Sequence, residues 1–529
     1  MVNINVKIPK EVSHVTETLE KAGFEAYLVG GCVRDLVIGL EPKDWDVTTN
    51  AKPEQIIGLF EKTVYENQFG TVAVIQENVS HETLKVIEVT PYRIEAKYSD
   101  FRHPDSVKFS DKIEDDLKRR DFTVNALALG GKGPADTKAL AGKHVLDLFG
   151  GLKDIKDKTL RTVGKPDDRF NEDALRMLRA VRLSLQLDFS IAEESAASIV
   201  KNANLIEKIS EERIREELIK IILSSRPAVG VALLQKFDLL KYIIPELEEG
   251  IGCEQAGEHI YPVWDHLLLA LQHAADKEWP LEVRLAALFH DIGKPRTRRS
   301  AQDPLAKINF GTPPSQGERI PPRLEKEGTR GGKKKFTFYG HEVVGARMTK
   351  KILERLKFSR NDTELVEKLV RNHMFFSDPE KITLSAVRRI IKNVGPENIW
   401  TLMKVRECDR VGMKKKEAPY RLRKYFAMVE EALRDPISVS QLKIDGNFLQ
   451  SELKIAPGPR MGWILHALLE EVLDDPTQNT EAHLSELAKS LNGLPDGALK
   501  ALGERGKGKK ENLEEKEIEK LHEKHGVRK

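Results

Sequence analysis

Gly30-Gly31-Cys32-Val33-Arg34-Asp35, set between Ala26-Tyr27-Leu28-Val29 and Asp44-Trp45-Asp46-Val47-Thr48-Thr49, is the stretch that decides the fold. Ala26 to Val29 reads as a short buried strand that runs into two glycines and a short helix over Val33 to Leu40. Glycines at a strand-to-helix turn let the backbone approach a ligand, and the helix start offers free N–H groups to phosphate. Asp44 and Asp46, two residues apart, are expected on one face of a second extended segment. Paired carboxylates suit a hard, oxygen-loving cation such as Mg²⁺, here beside a phosphate cradle. Alone, the pair would more often be a polar turn next to an exposed strand; the glycine turn and the motifs downstream favour a site.

Those motifs are Glu114-Asp115-Asp116-Leu117-Lys118-Arg119-Arg120-Asp121-Phe122-Thr123-Val124-Asn125-Ala126-Leu127, then Asp147-Leu148-Phe149-Gly150-Gly151, then Asn171-Glu172-Asp173-Ala174-Leu175-Arg176-Met177-Leu178-Arg179-Ala180-Val181-Arg182. With these in view the chain resembles the class II tRNA nucleotidyltransferase and bacterial poly(A) polymerase family, which shares its head with the polymerase-β superfamily. The resemblance runs to about residue 215. It implies an α+β chain: a polymerase-β-like nucleotidyltransferase head with a small mixed sheet, then a mainly α-helical neck, body and tail. It further implies that Asp44 and Asp46 are catalytic and hold Mg²⁺, that Gly31 and Arg34 hold a triphosphate, and that Arg120 faces the nucleotide. Asp121 is an even choice between cleft and structure, and Arg119 and Arg120 have an alternative as ion-pair partners of Asp115 and Asp116. Glu88 is a third-carboxylate candidate or an ordinary strand residue.

Asp173, Arg176, Arg179 and Arg182 recur every three residues and would form one slanting row on a helix, with Leu175, Leu178 and Val181 as a parallel apolar row. Such a row is commonly a salt-bridged surface; behind the upstream motifs it is expected to bind and select the nucleotide base. Tyr92 to Pro104 resembles the family's loop for switching from C to A, with Phe101 where many relatives have glycine. Its presence favours full CCA addition.

Leu288-Phe289-His290-Asp291-Ile292-Gly293-Lys294 resembles the signature of HD-domain phosphohydrolases. His266, His341, His373 and Asp409 follow the expected order of further ligands. Imidazoles with carboxylates suit Mn²⁺, Ni²⁺ or Zn²⁺, or Mg²⁺ with more water. Hydrolysis of phosphomonoesters, cyclic phosphates or phosphodiesters at RNA ends is the chemistry the resemblance implies there.

At 529 residues the chain is too long for one core. The expected division is a head over 1–160, a neck over 161–225, an HD body over 226–435 with a mobile loop at 296–335, a helical tail over 436–503 and a charged end over 504–529, which reads as disordered with a fraying helix in preference to a solvated helix. Ser210-Glu211-Glu212-Arg213 reads as a capped helix start. Three scattered cysteines and no apolar run of about 20 residues predict a cytoplasmic protein with reduced thiols and no membrane contact. Net charge is only +3, yet Lys333 to Lys335, Lys414 to Lys416, and Arg421, Arg423 and Lys424 beside Tyr420 and Tyr425 are basic clusters. The last two suit the acceptor arm of a tRNA, whereas Lys333 to Lys335 read better as a solvated loop.

The expected activity is template-independent addition of CCA to tRNA from CTP and ATP by two-metal transfer, with no obligate protein partner. The alternatives are poly(A) addition by the same fold, or an HD phosphohydrolase with an RNA-binding head. The Pro457-Gly458-Pro459 block resembles the C-terminal region of CCA enzymes and favours the first.

Overall fold

The structure is a computed structural model that describes residues 8–65, 70–77, 79–95, 107–130, 144–255, 259–300, 336–374, 382–412, 419–434 and 439–527. Two compact units result: Met1–His373 with Lys404–Lys414, and Met374–Met403 with Lys415–Lys529. No helix among the described residues is long and apolar enough to cross a membrane. Cys32, Cys253 and Cys408 are free and buried.

The first unit opens with helix α1 (Lys10–Lys21), strand β1 (Ala26–Val29) and helix α2 (Gly31–Ile38). Then follow β2 (Asp46–Thr49), α3 (Pro53–Leu59), β3 (Thr63–Tyr65), β4 (Val72–Ile75), β5 (Val86–Pro91), a ribbon of β6 (Arg93–Glu95) and β7 (Val107–Phe109), α4 (Ile113–Lys118), β8 (Leu127–Gly130), β9 (Val145–Asp147) and α5 (Gly151–Lys156). Seven strands form one mixed sheet in the order β3-β4-β5-β2-β1-β8-β9. Within this sheet, among the described residues, only β2 and β5 run parallel, and they place Glu88 directly beside Asp46. Paired residues in neighbouring strands share a face, so both carboxylates leave the sheet on the same side. Apolar residues such as Leu28, Val47, Val72, Val89 and Leu129 are buried and fill the core.

Asp44 is a correction to the expected geometry: strand β2 begins at Asp46, and Asp44 sits exposed in the bend before it. Pro42 and Trp45 are buried on either side of it, and this anchors the bend instead of extending the strand.

The neck is α6 (Pro166–Glu172), α7 (Leu175–Leu187), α8 (Glu193–Asn202) and α9 (Glu211–Ile222). Asp173 is the second correction. It is not on the helix of Arg176, because α6 ends at Glu172 and Asp173 is extended (φ −143°, ψ 103°). Its carboxylate accepts the Leu175 N–H at 3.1 Å, and an aspartate that takes the N–H two residues on competes with continuing the old helix. Helix α9 starts after Ser210 as its sequence predicts, although the serine hydroxyl makes no capping bond.

Helices α10 (Pro227–Lys236), α11 (Leu240–Ile243), α12 (Pro245–Glu248), α13 (Val263–Asp276), α14 (Leu281–Phe289), α15 (Lys294–Thr297), α16 (His341–Arg355) and α17 (Arg360–Asn372) continue the unit. Buried Arg284 on α14 donates to the carbonyls of Ile222 at 3.0 Å and Ser224 at 2.9 Å, and so caps the C-terminal end of α9. Its Nε donates to the Trp279 carbonyl at 2.8 Å. Residues 296–300 belong to α15 and a short strand Arg299–Ser300 that pairs with Phe336–Thr337, not to the expected loop. The remainder of that loop, 301–335, lies outside the described residues, as do Lys97 to Pro104 and Lys414 to Lys416.

The second unit comprises α18 (Leu384–Val394), the start of α19 (Ile399–Asp409), α20 (Pro419–Leu433), α21 (Gly446–Ser451), α22 (Pro459–Asp474), α23 (Glu481–Asn492) and α24 (Asp496–Lys524). The body expected over 226–435 is therefore divided, because α18 buries Val387, Ile391 and Val394 and packs with α20. Tyr425 on α20 is also buried, which removes it from any RNA-facing surface. The end expected to be disordered is helical instead. Within α24, Leu499, Gly503 and Gly506 are buried, and a Cβ on Gly503 would meet Trp463 Cα at 2.6 Å, one on Gly506 the His466 carbonyl at 2.2 Å. The two glycines let α24 lie backbone-close on α22.

Candidate nucleotidyl-transfer and metal sites

In the head, the turn from β1 to α2 holds Gly30 at φ +85°, a conformation that favours glycine. A Cβ there would meet Arg120 Nη1 at 2.8 Å and Asp46 Oδ2 at 3.6 Å, so the guanidinium and the carboxylate close over the turn. Burial raises the Asp46 carboxyl; the Arg120 charge opposes this, and Asp44 and Asp116 add to it, leaving it above its ordinary value. Crowded carboxylate oxygens of this kind fit a hard divalent cation. Arg119 and Arg120 both pair with buried Asp116, at 2.6 and 3.2 Å, whereas Asp115 accepts from Ser110. Arg120 thus has a structural partner as well as a place at the turn.

Arg34 folds against its own helix start. Its Nε and Nη2 donate to Asp35 Oδ1 at 2.8 and 2.7 Å, and Nη1 donates to Asn125 Oδ1 at 2.6 Å. Asp121 is buried and accepts from Arg179 Nε and Nη2 at 2.9 and 2.6 Å. Burial opposes its charge, but the Arg179 guanidinium outweighs that and holds the carboxyl well below the usual range.

The other members of the row are also engaged. Arg176 donates to Glu172 at 2.6 Å and to the Arg119 carbonyl at 3.1 Å. Arg182 donates to buried Glu217 at 2.6 Å. Asp173 accepts from Arg213 at 2.8 and 3.2 Å. Arg213 and Glu217, both on α9, hold opposite ends of the row and were missed as site residues; their spacing of four on one helix face was the available signal.

The six residues of the second set come together. His266, His290, Asp291 and Asp409 offer ligand atoms within 4.8 Å of one another, as do Asp291, His341 and His373, and all are buried. Asp291 belongs to both groups through different oxygens. Its Oδ2 lies 3.6 Å from His266 Nε2 and 3.3 Å from His290 Nε2, and its Oδ1 lies 3.3 Å from His341 Nε2 and 3.6 Å from His373 Nε2. Asp409 Oδ1 completes the first group, 3.5 Å from His290 Nε2.

A tautomer argument supports metal binding. The Nδ1 atoms of His290, His341 and His373 lie 2.8, 2.7 and 2.6 Å from the carbonyls of Ala287, Phe338 and Val370. Each donates there, so in the neutral imidazole Nε2 is the inward lone pair that a cation would take in place of a proton. Asp291 Oδ1, His341 Nε2 and His373 Nε2 are buried without a hydrogen-bond partner, and a cation would satisfy all three. Burial disfavours charge on His290, yet Asp291 and Asp409 push it up to about 10. The field of the site favours positive charge.

Three polar neighbours were not foreseen as site residues. Lys294 Nζ donates to Asp291 Oδ2 at 2.5 Å and to Gln255 at 2.6 Å. Arg406 donates to Asp409 at 2.5 Å, and the His259 ring lies edge-on to His266 at 4.9 Å. Lys294, one helical turn beyond Asp291, was legible in the motif itself.

Gly293 lets α15 and α16 meet: a Cβ would strike the His341 carbonyl at 2.3 Å and Gly345 N at 2.6 Å. Gly293→Ala should push His341 away from Asp291, lowering metal content at that group and stability by about 1–3 kcal/mol, the usual range for overpacking. Thermal melts with and without added Mn²⁺ check this; full metal retention at an unchanged melting temperature would contradict it.

Matches to known families and structures fall on the same segments. The Poly A polymerase head domain matches residues 26–161, the RNA and SrmB-binding site of polymerase A 188–251, the HD domain 257–394, and tRNA nucleotidyltransferase domain 2 residues 343–488. CCA-adding enzymes of Ligilactobacillus salivarius and Enterococcus faecalis are 43% and 41% identical over 234 and 244 residues, 44% and 46% of this chain. Those stretches are 54% and 56% of the relatives, so the chain spans about half the length of the curated relatives it matches. The crystal structure of the Bacillus stearothermophilus CCA-adding enzyme in complex with CTP shares the fold at 23% identity and a TM-score of 0.55, covering 96% of this chain and 100% of its own. In order along its length the chain is therefore similar to the Poly A polymerase head domain, to the RNA and SrmB-binding site of polymerase A and to the HD domain, and it is similar to CCA-adding enzymes in sequence and in fold.

Proposed function

We propose that this chain adds C, C and A to the 3′ end of tRNA from CTP and ATP without a nucleic-acid template. The observation that carries this reading is the closure of Asp46 and Arg120 over the Gly30–Gly31 turn, with Glu88 paired beside Asp46. Arg34 and the start of α2 face the triphosphate, and Arg120 offsets its charge. Mg²⁺ held by Asp44 and Asp46, when bound, would activate the 3′-hydroxyl and neutralise the leaving pyrophosphate. The names of the curated relatives favour CCA addition over poly(A) addition. The tRNA acceptor arm is the partner, no protein partner is required, and the compartment is the cytoplasm. Purified protein given tRNA lacking its 3′ end and each labelled triphosphate in turn tests the reading; extension with ATP alone into long tails would replace it by poly(A) addition.

Base choice follows from Asp173 and Arg176. The acceptor and the donors they present complement the amino donor and ring-nitrogen acceptor shared by C and A, and oppose the reversed edges of U and G. Arg213 and Glu172 fix the two half-buried side chains, so a wrong base meets donor against donor and acceptor against acceptor at an edge that cannot turn. Asp173→Ala should weaken discrimination against UTP and GTP by about 10²-fold, within the range that polar mismatches reach. Misincorporation assays decide this: rejection of UTP equal to the parent's would show the row to be a salt-bridged scaffold.

The six buried ligands support a second activity, hydrolysis of phosphate esters or 2′,3′-cyclic phosphates at RNA ends. Mn²⁺, Ni²⁺, Zn²⁺ or Mg²⁺ held by His266, His290, Asp291, His341, His373 and Asp409 would supply Lewis acidity and an activated water.

A further inference from the structure

We infer that Asn125 is a positioning residue that joins the triphosphate end of the nucleotide site to the base-selecting helix; this rests on the nucleotidyl-transfer reading above. Asn125 is buried, with 7% of its surface exposed. Its Oδ1 accepts from Arg34 Nη1 at 2.6 Å, and its Nδ2 donates to Asp121 Oδ1 at 3.2 Å. The neighbours fix the amide's orientation, since a guanidinium can only donate and a carboxylate only accept. Asp121 spends its other oxygen on Arg179, and its Oδ1 also takes the Phe122 N–H at 2.8 Å. Arg34 is held on its far side by Asp35. A continuous polar line thus runs Asp35, Arg34, Asn125, Asp121, Arg179, from α2 beside the phosphate turn to α7.

Only a side chain that accepts on one side and donates on the other satisfies both neighbours, as the amide does. An apolar residue would leave a guanidinium N–H and a carboxylate oxygen short of partners, and an ionised aspartate would set two carboxylates against each other. Arg34 must release or share a donor to grip a triphosphate, and any change in its pose reaches Arg179 through Asn125 and then Asp121. Asn125 therefore sets both the affinity for the triphosphate and the placing of the selecting helix, without touching the reacting atoms.

Asn125→Ala should weaken CTP and ATP binding by about tenfold, the worth of one hydrogen bond to a charged group, while kcat changes less than KM. Asn125→Asp gives a readout that a merely structural role would not move. When protonated, this aspartate reproduces the asparagine, its O–H donating to Asp121 and its C=O accepting from Arg34; when ionised it repels Asp121. Its KM should therefore approach the parent's at acid pH and rise as pH increases, relative to the parent measured at each pH. Equilibrium CTP binding measured beside primer extension separates the possibilities. A parent that binds CTP but extends no tRNA would fail the functional reading and leave Asn125 testable by binding alone. CTP affinity of Asn125→Ala within twofold of the parent, or a pH-independent defect in Asn125→Asp, would overturn the inference.

Discussion

Asp46→Ala is expected to reduce nucleotide addition to below a few per cent of the parent rate while leaving tRNA binding nearly unchanged. The carboxylate stands at the start of β2, between Arg120, Glu88 and the exposed Asp44. In-line phosphoryl transfer depends almost wholly on positioning and charge neutralisation, so one lost carboxylate at this point costs at least about 10²-fold. The fold should tolerate the change. Asp46 is held above its ordinary carboxyl value by burial and by like charges, so its ionised form is an electrostatic burden that alanine relieves. A melting temperature at or slightly above the parent's, together with lost extension of tRNA lacking its 3′ end, is the anticipated pair. Addition above a few per cent of the parent rate would remove Asp46 from the catalytic pair.

The second large effect concerns Asp291. Asp291→Asn keeps the side chain's shape but weakens a ligand shared by both groups, and should strip metal from each; His341→Ala should affect only the second. Elemental analysis of the purified variants would show a greater fall for Asp291→Asn than for His341→Ala, and hydrolysis of a 2′,3′-cyclic nucleotide should disappear in the former. The asparagine variant is preferable to alanine, because Lys294 is buried against this carboxylate and would otherwise lose its partner. Extension of tRNA should persist, since its residues lie on other elements. Unchanged metal content in Asp291→Asn would count decisively against this centre.

Much of this was legible in the sequence because local geometry and chemistry coincide there. The strand, the glycine turn and the helix over residues 26–38 follow from neighbours in the chain, and the His-Asp pair with its three outlying histidines is unusual in composition as well as order. Asp173 was misplaced because a period of three is blind to a helix break at its first member. The aspartate that began the row is the residue that starts a new helix. The charged end misled for a different reason. Composition counts apolar side chains, whereas α24 is held by two glycines whose lack of a side chain makes the contact. Arg213 and Glu217 left only their spacing of four as a signal, and Asn125 left none, because their partners lie far off in sequence.

Arg284 has a bearing on how such a chain can change over generations. Helix α14, which ends at Phe289 just before His290, also supplies the guanidinium that closes the carbonyl end of α9, and α9 holds Asp173 and Arg182 through Arg213 and Glu217. Replacing the metal-binding imidazoles would remove the cation site and leave this cap in place, whereas deleting the module outright would leave the carbonyl end of α9 without it. The module thus serves as a brace independently of its metal site, and the two uses can be lost separately.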